Sequence, residues 1–111
     1  MTEQELPSPV QLALDEFKEA LSVIYGERFR GLYLYGSYAR GDFAEDSDVD
    51  ILVALKGEVK PLQEIDRMGE ALSEISLHYD LLISVYPVPE EWPTERKSPL
   101  FENIRREGMQ V

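Results

Sequence analysis

The sequence predicts an α+β (α/β) fold, with a small mixed sheet of about three to four strands and helices packed on one face. Three features point there. Leu32–Val53 (LYLYGSYARGDFAEDSDVDILV) has the pattern of a strand, a glycine-bounded turn, a polar loop and a second strand. Two stretches, about 9–25 and 61–76, repeat apolar residues at three- and four-residue intervals, as amphipathic helices do. A further apolar run, His78–Tyr86, stops at Pro87. With 111 residues, 43 % of them hydrophobic, the chain is expected to form one domain over 1–111 with a filled core.

Met1–Pro7 is a polar stretch expected to be a flexible lead-in. Ser8-Pro9 has the form of a helix start, a capping Ser followed by Pro at the first helical position. Val10, Leu14, Phe17, Leu21 and Ile24 then form one stripe, and Gly26 lies near the helix end. Arg30-Gly31 leads into a strand over Leu32–Tyr35, whose Tyr33 and Tyr35 suit packing on a sheet face. Ile51–Leu55 completes the second strand and Gly57–Pro61 turns the chain. The second helix carries Leu62, Ile65, Met68 (or Gly69), Leu72 and Ile75 as its stripe. The third strand, His78–Tyr86, begins with Asp80 among apolar neighbours. Pro87–Pro99 holds four prolines and is expected to wrap as a loop anchored by Trp92. Ser98-Pro99 repeats the helix-start pattern, followed by Leu100, Phe101 and Ile104. Arg105-Arg106 suits the last turn of that helix, and Gly108 closes it.

Net charge is −11, from 22 acidic and 11 basic residues. Nucleic-acid binders gain affinity by neutralising phosphates with Lys and Arg, so this balance opposes a long nucleic-acid substrate. It suits a protein that docks on a basic partner. There is no Cys and only one His, which excludes disulfides, thiolate metal sites and imidazole clusters. Carboxylates would have to hold any metal. No apolar run has the length of a membrane span, and the acidic N-terminus is unlike a signal peptide, so a cytoplasmic location is expected.

The chemistry concentrates between the first two strands. In a strand, side chains at i and i+2 share a face, which puts Asp48 and Asp50 roughly 6.5–7 Å apart along the backbone. At that distance their repulsion is only about 2.5 kcal/mol at an effective dielectric near 20. A divalent cation, which prefers hard oxygen ligands, readily offsets it. Val49, Ile51 and Val53 point the other way, into the core. Gly36 lacks a Cβ and lets backbone approach a ligand, while Ser37 and the following amides can cradle an anion. Arg40, the one cation between Gly31 and Lys56, faces Asp42, Glu45, Asp46, Asp48 and Asp50. Its planar fork suits a phosphate. Ser47 can cap the turn and so fix the direction of Asp48. A phosphate seat beside a paired-carboxylate metal seat is the apparatus of nucleotidyl or phosphoryl transfer.

Gly36-Ser37, ten intervening residues and then Asp48-Val49-Asp50 resemble the signature of the polymerase-beta-like nucleotidyltransferase superfamily. The fuller strings Gly36-Ser37-Tyr38-Ala39-Arg40-Gly41 and Ser47-Asp48-Val49-Asp50 resemble its minimal (MNT) branch, many of whose members are antitoxins paired with a HEPN-domain toxin. The resemblance implies the nucleotidyltransferase fold, ATP as substrate and Mg²⁺, two ions, held by Asp48 and Asp50. It also implies a third carboxylate on a later strand beside the pair, for which Asp80 is the match. Gly36, Ser37, Arg40 and Ser47 would contact the nucleotide, and Tyr38, inside the turn, is a further candidate. The implied reaction is AMP transfer to a tyrosine of a cognate HEPN-domain toxin, which silences it, with a hetero-oligomer of the two proteins as the implied assembly. Three other functions fit the residues: an antitoxin that neutralises by binding alone, a small-molecule nucleotidyltransferase, and a nucleic-acid polymerase, which the charge disfavours.

Overall fold

In the computed structural model, which describes residues 6–111, α1 (Ser8–Tyr25) leads through a 3-10 turn (Gly26–Arg28) into β1 (Phe29–Tyr35). A single helical turn, α2 (Ser37–Arg40), follows at once, and β2 (Val49–Leu55) returns antiparallel to β1. The long α3 (Pro61–Tyr79) then carries the chain over to β3 (Ile83–Pro89), parallel to β2. The short helices α4 (Trp92–Glu95) and α5 (Pro99–Glu107) precede β4 (Met109–Gln110), which pairs antiparallel with β1. The sheet order is β3-β2-β1-β4. Most of the expected lead-in, residues 1–5, lies outside the described residues. Its last two residues are not free, since Leu6 packs against the core and Pro7 takes the position before the first helical residue.

Strand alternation sorts the sheet into two faces. Leu32 and Leu34 of β1, with Val49, Ile51, Val53 and Leu55 of β2, meet Val10, Leu14, Phe17 and Leu21 of α1 and Met68 and Ile75 of α3. Each such Leu or Phe stabilises the fold by roughly 1.5–3 kcal/mol on burial, which fixes α1 and α3 as one layer. α1 and α3 take the one face expected for the helices. The helix that starts after Ser98, α5, packs on the other, because its apolar Phe101 and Ile104 meet Leu52 and Val88 there. The other face carries a smaller cluster, in which Leu52 and Val88 meet Phe101 and Ile104 of α5, with Tyr33, Tyr35, Tyr86 and Trp92 around them. Trp92 does anchor its segment: its ring meets Phe101 edge-on at 5.8 Å, with the Arg96 guanidinium 3.7 Å above it. Because β2 is covered on both sides, its sequence is apolar throughout except for Asp50.

Several elements depart from the sequence expectation for physical reasons. The α1 stripe ends on buried Tyr25, while Ile24 stays partly exposed. In α3 the buried positions are Glu64, Met68 and Ile75, whereas Leu62 faces solvent. Glu64 is admitted because the Tyr25 hydroxyl donates to it at 3.0 Å. The third strand begins later and runs through Pro87 and Pro89. It is an edge strand, where a missing N–H costs no ladder bond on the open side. Asp80 therefore opens no strand. It caps α3 in the left-handed conformation, at φ 53°, and the Leu81 amide donates back to Ser76 at 2.9 Å. Among the described residues, no helix is long and apolar enough to cross a membrane.

Candidate active site

The pairing register decides which side chains meet at the end of the sheet. Asp50 lies opposite Tyr35 of β1 and Ser84 of β3. Its side chain thus belongs to the face that carries Tyr35 and Tyr86. Gly36, the next residue after β1, has φ 75°, and a Cβ there would run into Oδ2 of Asp50 and stand 3.3 Å from its Cγ. Glycine is required twice, by the backbone conformation and by the carboxylate lodged against it. From that corner the chain enters α2, whose Ala39 and Arg40 amides both bond the Gly36 carbonyl at 3.1 Å. The Ser37 and Tyr38 amides come earlier in the turn, where a helix offers no internal acceptor. Both amides belong to the turn that begins at the Gly36–Asp50 corner.

The electrostatics run against two bare carboxylates. Burial, and next the charge of Asp48, hold the Asp50 carboxyl above the usual carboxylate range, while Arg40 pulls it the other way. Burial and then the Asp50 charge likewise push the Tyr35 hydroxyl up. Asp48 is exposed just ahead of β2. The loop before it is held by the Ala44 amide donating to Ser47 Oγ at 2.7 Å, so Ser47 closes the turn that precedes Asp48. Arg40 Nε bonds Asp42 at 3.2 Å, and its Nη1 stands 3.9 Å from Glu107 at the end of α5. A pocket of ≈ 90 Å³ beside the corner is lined by Tyr35, Gly36, Arg40, Asn103, Ile104 and Glu107. No sequence motif marked Asn103 or Glu107; only the docking of α5 brings them to the site.

Two expected members lie elsewhere. Tyr38 is buried in the core and stacks on Phe43 at 4.4 Å, so it cannot face a ligand. Asp80, at the end of α3 on the other side of the sheet, lines a different cleft with Glu45 and Asp46. The β3 position beside Asp50 is Ser84, not a carboxylate. Among the described residues, no three His, Asp or Glu side chains are grouped as a metal site. Two carboxylates, one of them pushed up by the other, still fit Mg²⁺, which commonly takes one or two protein carboxylates and completes its shell with water and phosphate oxygens.

Comparison with known proteins bears on the family and the fold. The model of the nucleotidyltransferase domain matches residues 14–106. The chain belongs to that family. Two curated relatives come from Methanocaldococcus jannaschii and are provisionally named protein adenylyltransferases. MJ0141 is 36 % identical over 98 residues, covering 88 % of this chain and 94 % of its own. MJ0604 is 34 % identical over 97 residues, covering 86 % and 91 %. Among solved structures, a toxin–antitoxin with AMP-PNP aligns at TM-score 0.58 and 20 % identity, over 86 % of this chain and 71 % of that one. A mutant MntA–HpeT toxin–antitoxin aligns at TM-score 0.55 and 16 % identity, over 83 % and 67 %. At those identities the likeness concerns the fold, and this nucleotidyltransferase has the same one.

Proposed function

We propose that this nucleotidyltransferase moves AMP from ATP to the hydroxyl of a tyrosine on a HEPN-domain toxin and so silences it. The observation that carries the proposal is the corner where Asp50, beside Asp48, lies against the Cβ-less Gly36 at the start of α2. The names of the M. jannaschii relatives support protein as the acceptor and AMP as the group transferred. The toxin–antitoxin neighbours support a toxin as that protein. In this assignment the Ser37 and Tyr38 amides and the Ser37 hydroxyl hold the outer phosphates, and Arg40 leaves Asp42 to neutralise them. Ser47 keeps Asp48 aimed. Mg²⁺, held by Asp48 and Asp50, would neutralise the triphosphate and stabilise the charge that develops on attacking and leaving oxygens. The acceptor oxygen forms its bond to the α-phosphorus as the bond to the β-phosphate oxygen breaks, and pyrophosphate departs. A phenol has a pKa of ~10, so its proton must pass to water at the solvent-exposed Asp48 end of the site as the bond forms.

Intact-mass measurement of the HEPN-domain protein after incubation with ATP and Mg²⁺ tests this. A gain of one or more AMP units is expected with the native chain and none with Asp48→Asn/Asp50→Asn. If that double variant still neutralises the toxin and no mass is gained, the chain is an antitoxin by binding alone. Labelling of a small hydroxylated compound with no protein present would favour the small-molecule alternative.

A further inference from the structure

A cleft of ≈ 470 Å³ runs between the loop before β2 and the C-terminal end of α3, walled by Glu45, Asp46, Ser47, Leu77, Asp80 and Leu82. Leu77 is 83 % exposed and Leu82 69 %, although both sit within one concavity. Single exposed leucines are ordinary on any surface, but two that line one cleft give it an uncovered apolar wall. Three carboxylates line the same cleft, and no Lys or Arg does. An occupant must bring an apolar side chain for the leucines and positive charge for the rim. Nucleic acid would bring phosphates against carboxylates, whereas a basic protein segment meets both needs. The cleft opens on the α3 side of the sheet, away from Asp50, and meets the catalytic corner only through the loop that ends at Asp48. Ser47 in its wall precedes Asp48, and the Val49 amide donates to the Leu82 carbonyl at 2.8 Å, tying that wall to the entry of β2.

We propose that this cleft docks the acceptor protein through a basic segment carrying a leucine-sized side chain, and so holds the acceptor at the end of the sheet, where exposed Asp48 follows the cleft wall. This rests on the reading above that the acceptor is a protein. The mixed-charge groove between α1 and α3, where Val23 and Ile24 lie among Arg67, Glu70 and Glu74, has no such complementarity.

Amide-resolved NMR titrations on the full chain test the docking. The probe is a blocked Arg-Leu-Lys-Leu-Tyr-Arg peptide, with a control in which each cation is replaced by Glu. The basic peptide is expected to shift amides of residues 45–47 and 76–82, and the acidic one to shift none. Leu77→Ser and Leu82→Ser, each at an exposed position, should each weaken the basic peptide about tenfold or more, as loss of one buried leucine does. Shifts centred elsewhere, equal response to the acidic peptide, or unchanged affinity in both variants would overturn the proposal. A parallel Mg-ATP titration separates the two ideas. Response at Gly36, Ser37, Asp48 and Asp50 should persist in Leu77→Ser, and its absence from the native chain would count against nucleotide transfer, not against the cleft.

Discussion

Glu64 and Asp50 are both carboxylates drawn out of solvent, and their surroundings are opposite. Glu64, only 4 % exposed, accepts the Tyr25 hydroxyl at 3.0 Å and the Lys60 amide at 3.2 Å, with Arg28 4.0 Å away. Every partner around it is a donor or a cation. Asp50 sits in an otherwise apolar strand with a glycine against its Oδ2, and the charge that acts on it most is a second carboxylate. Nothing in the surrounding fold requires a carboxylate there. A buried charge that the fold has satisfied is architecture, while a half-buried one set beside a like charge, and only partly offset by Arg40, is the mark of a functional site.

Replacing Asp50 should break the comparison most strongly. Asp50→Asn is expected to lower AMP transfer by about a hundredfold or more, since it removes a charge that acts at the reacting phosphate. In EDTA the same variant should melt a few degrees higher than the native chain at neutral pH. The sign follows from the raised carboxyl. Its protonated form is favoured by the fold, so that contribution is full below the ordinary carboxylate range and is lost as pH rises through the folded value. Asn escapes the loss, and the gap in Tm should close again in acid. Glu64→Ala is expected to do the reverse, leaving the transfer reaction in place while removing about 1–3 kcal/mol of stability, as unpaired buried donors do. Urea unfolding measures it. A Glu64→Ala chain as stable as the native one would show that the two carboxylates do not differ in kind.

Much of this contrast was legible in the sequence on one side only. Gly36-Ser37 and Asp48-Val49-Asp50 lie close in the chain, and strand alternation alone puts both carboxylates on one face. The same local logic marks α1, β1, β2 and the capped start of α5, where Ser98 accepts from the Phe101 amide at 3.3 Å. What escaped depends on partners distant in the chain. Glu64 lies off the apolar stripe of its helix, and the partner that makes its burial possible, Tyr25, is 39 residues away. Asp80 has the residue type and neighbours of a strand entrance, yet α3 continues to Tyr79 and leaves it as a cap. Pro87 looked like a strand terminator because edge position is a property of the sheet and not of the segment. Tyr38 has the place of a ligand contact, but the ring of Phe43 turns it into core.

The smallest expected effect concerns the hydroxyl that satisfies Glu64. Burial first, then the hydrogen bond to Glu64 and its charge, push Tyr25 up to about 12. The phenol is favoured in the fold, so its contribution is complete below the ordinary tyrosine value near ~10 and drains away as pH climbs from there to about 12. Tyr25→Phe removes one hydrogen bond and should cost about 1 kcal/mol at neutral pH. Its stability should then fall less steeply than that of the native chain across that alkaline window, so the two unfolding curves converge. If they stay parallel from neutral pH upward, Tyr25 is not the donor that makes Glu64 tolerable, and the satisfied member of the pair has to be explained by Lys60 and Arg28 alone.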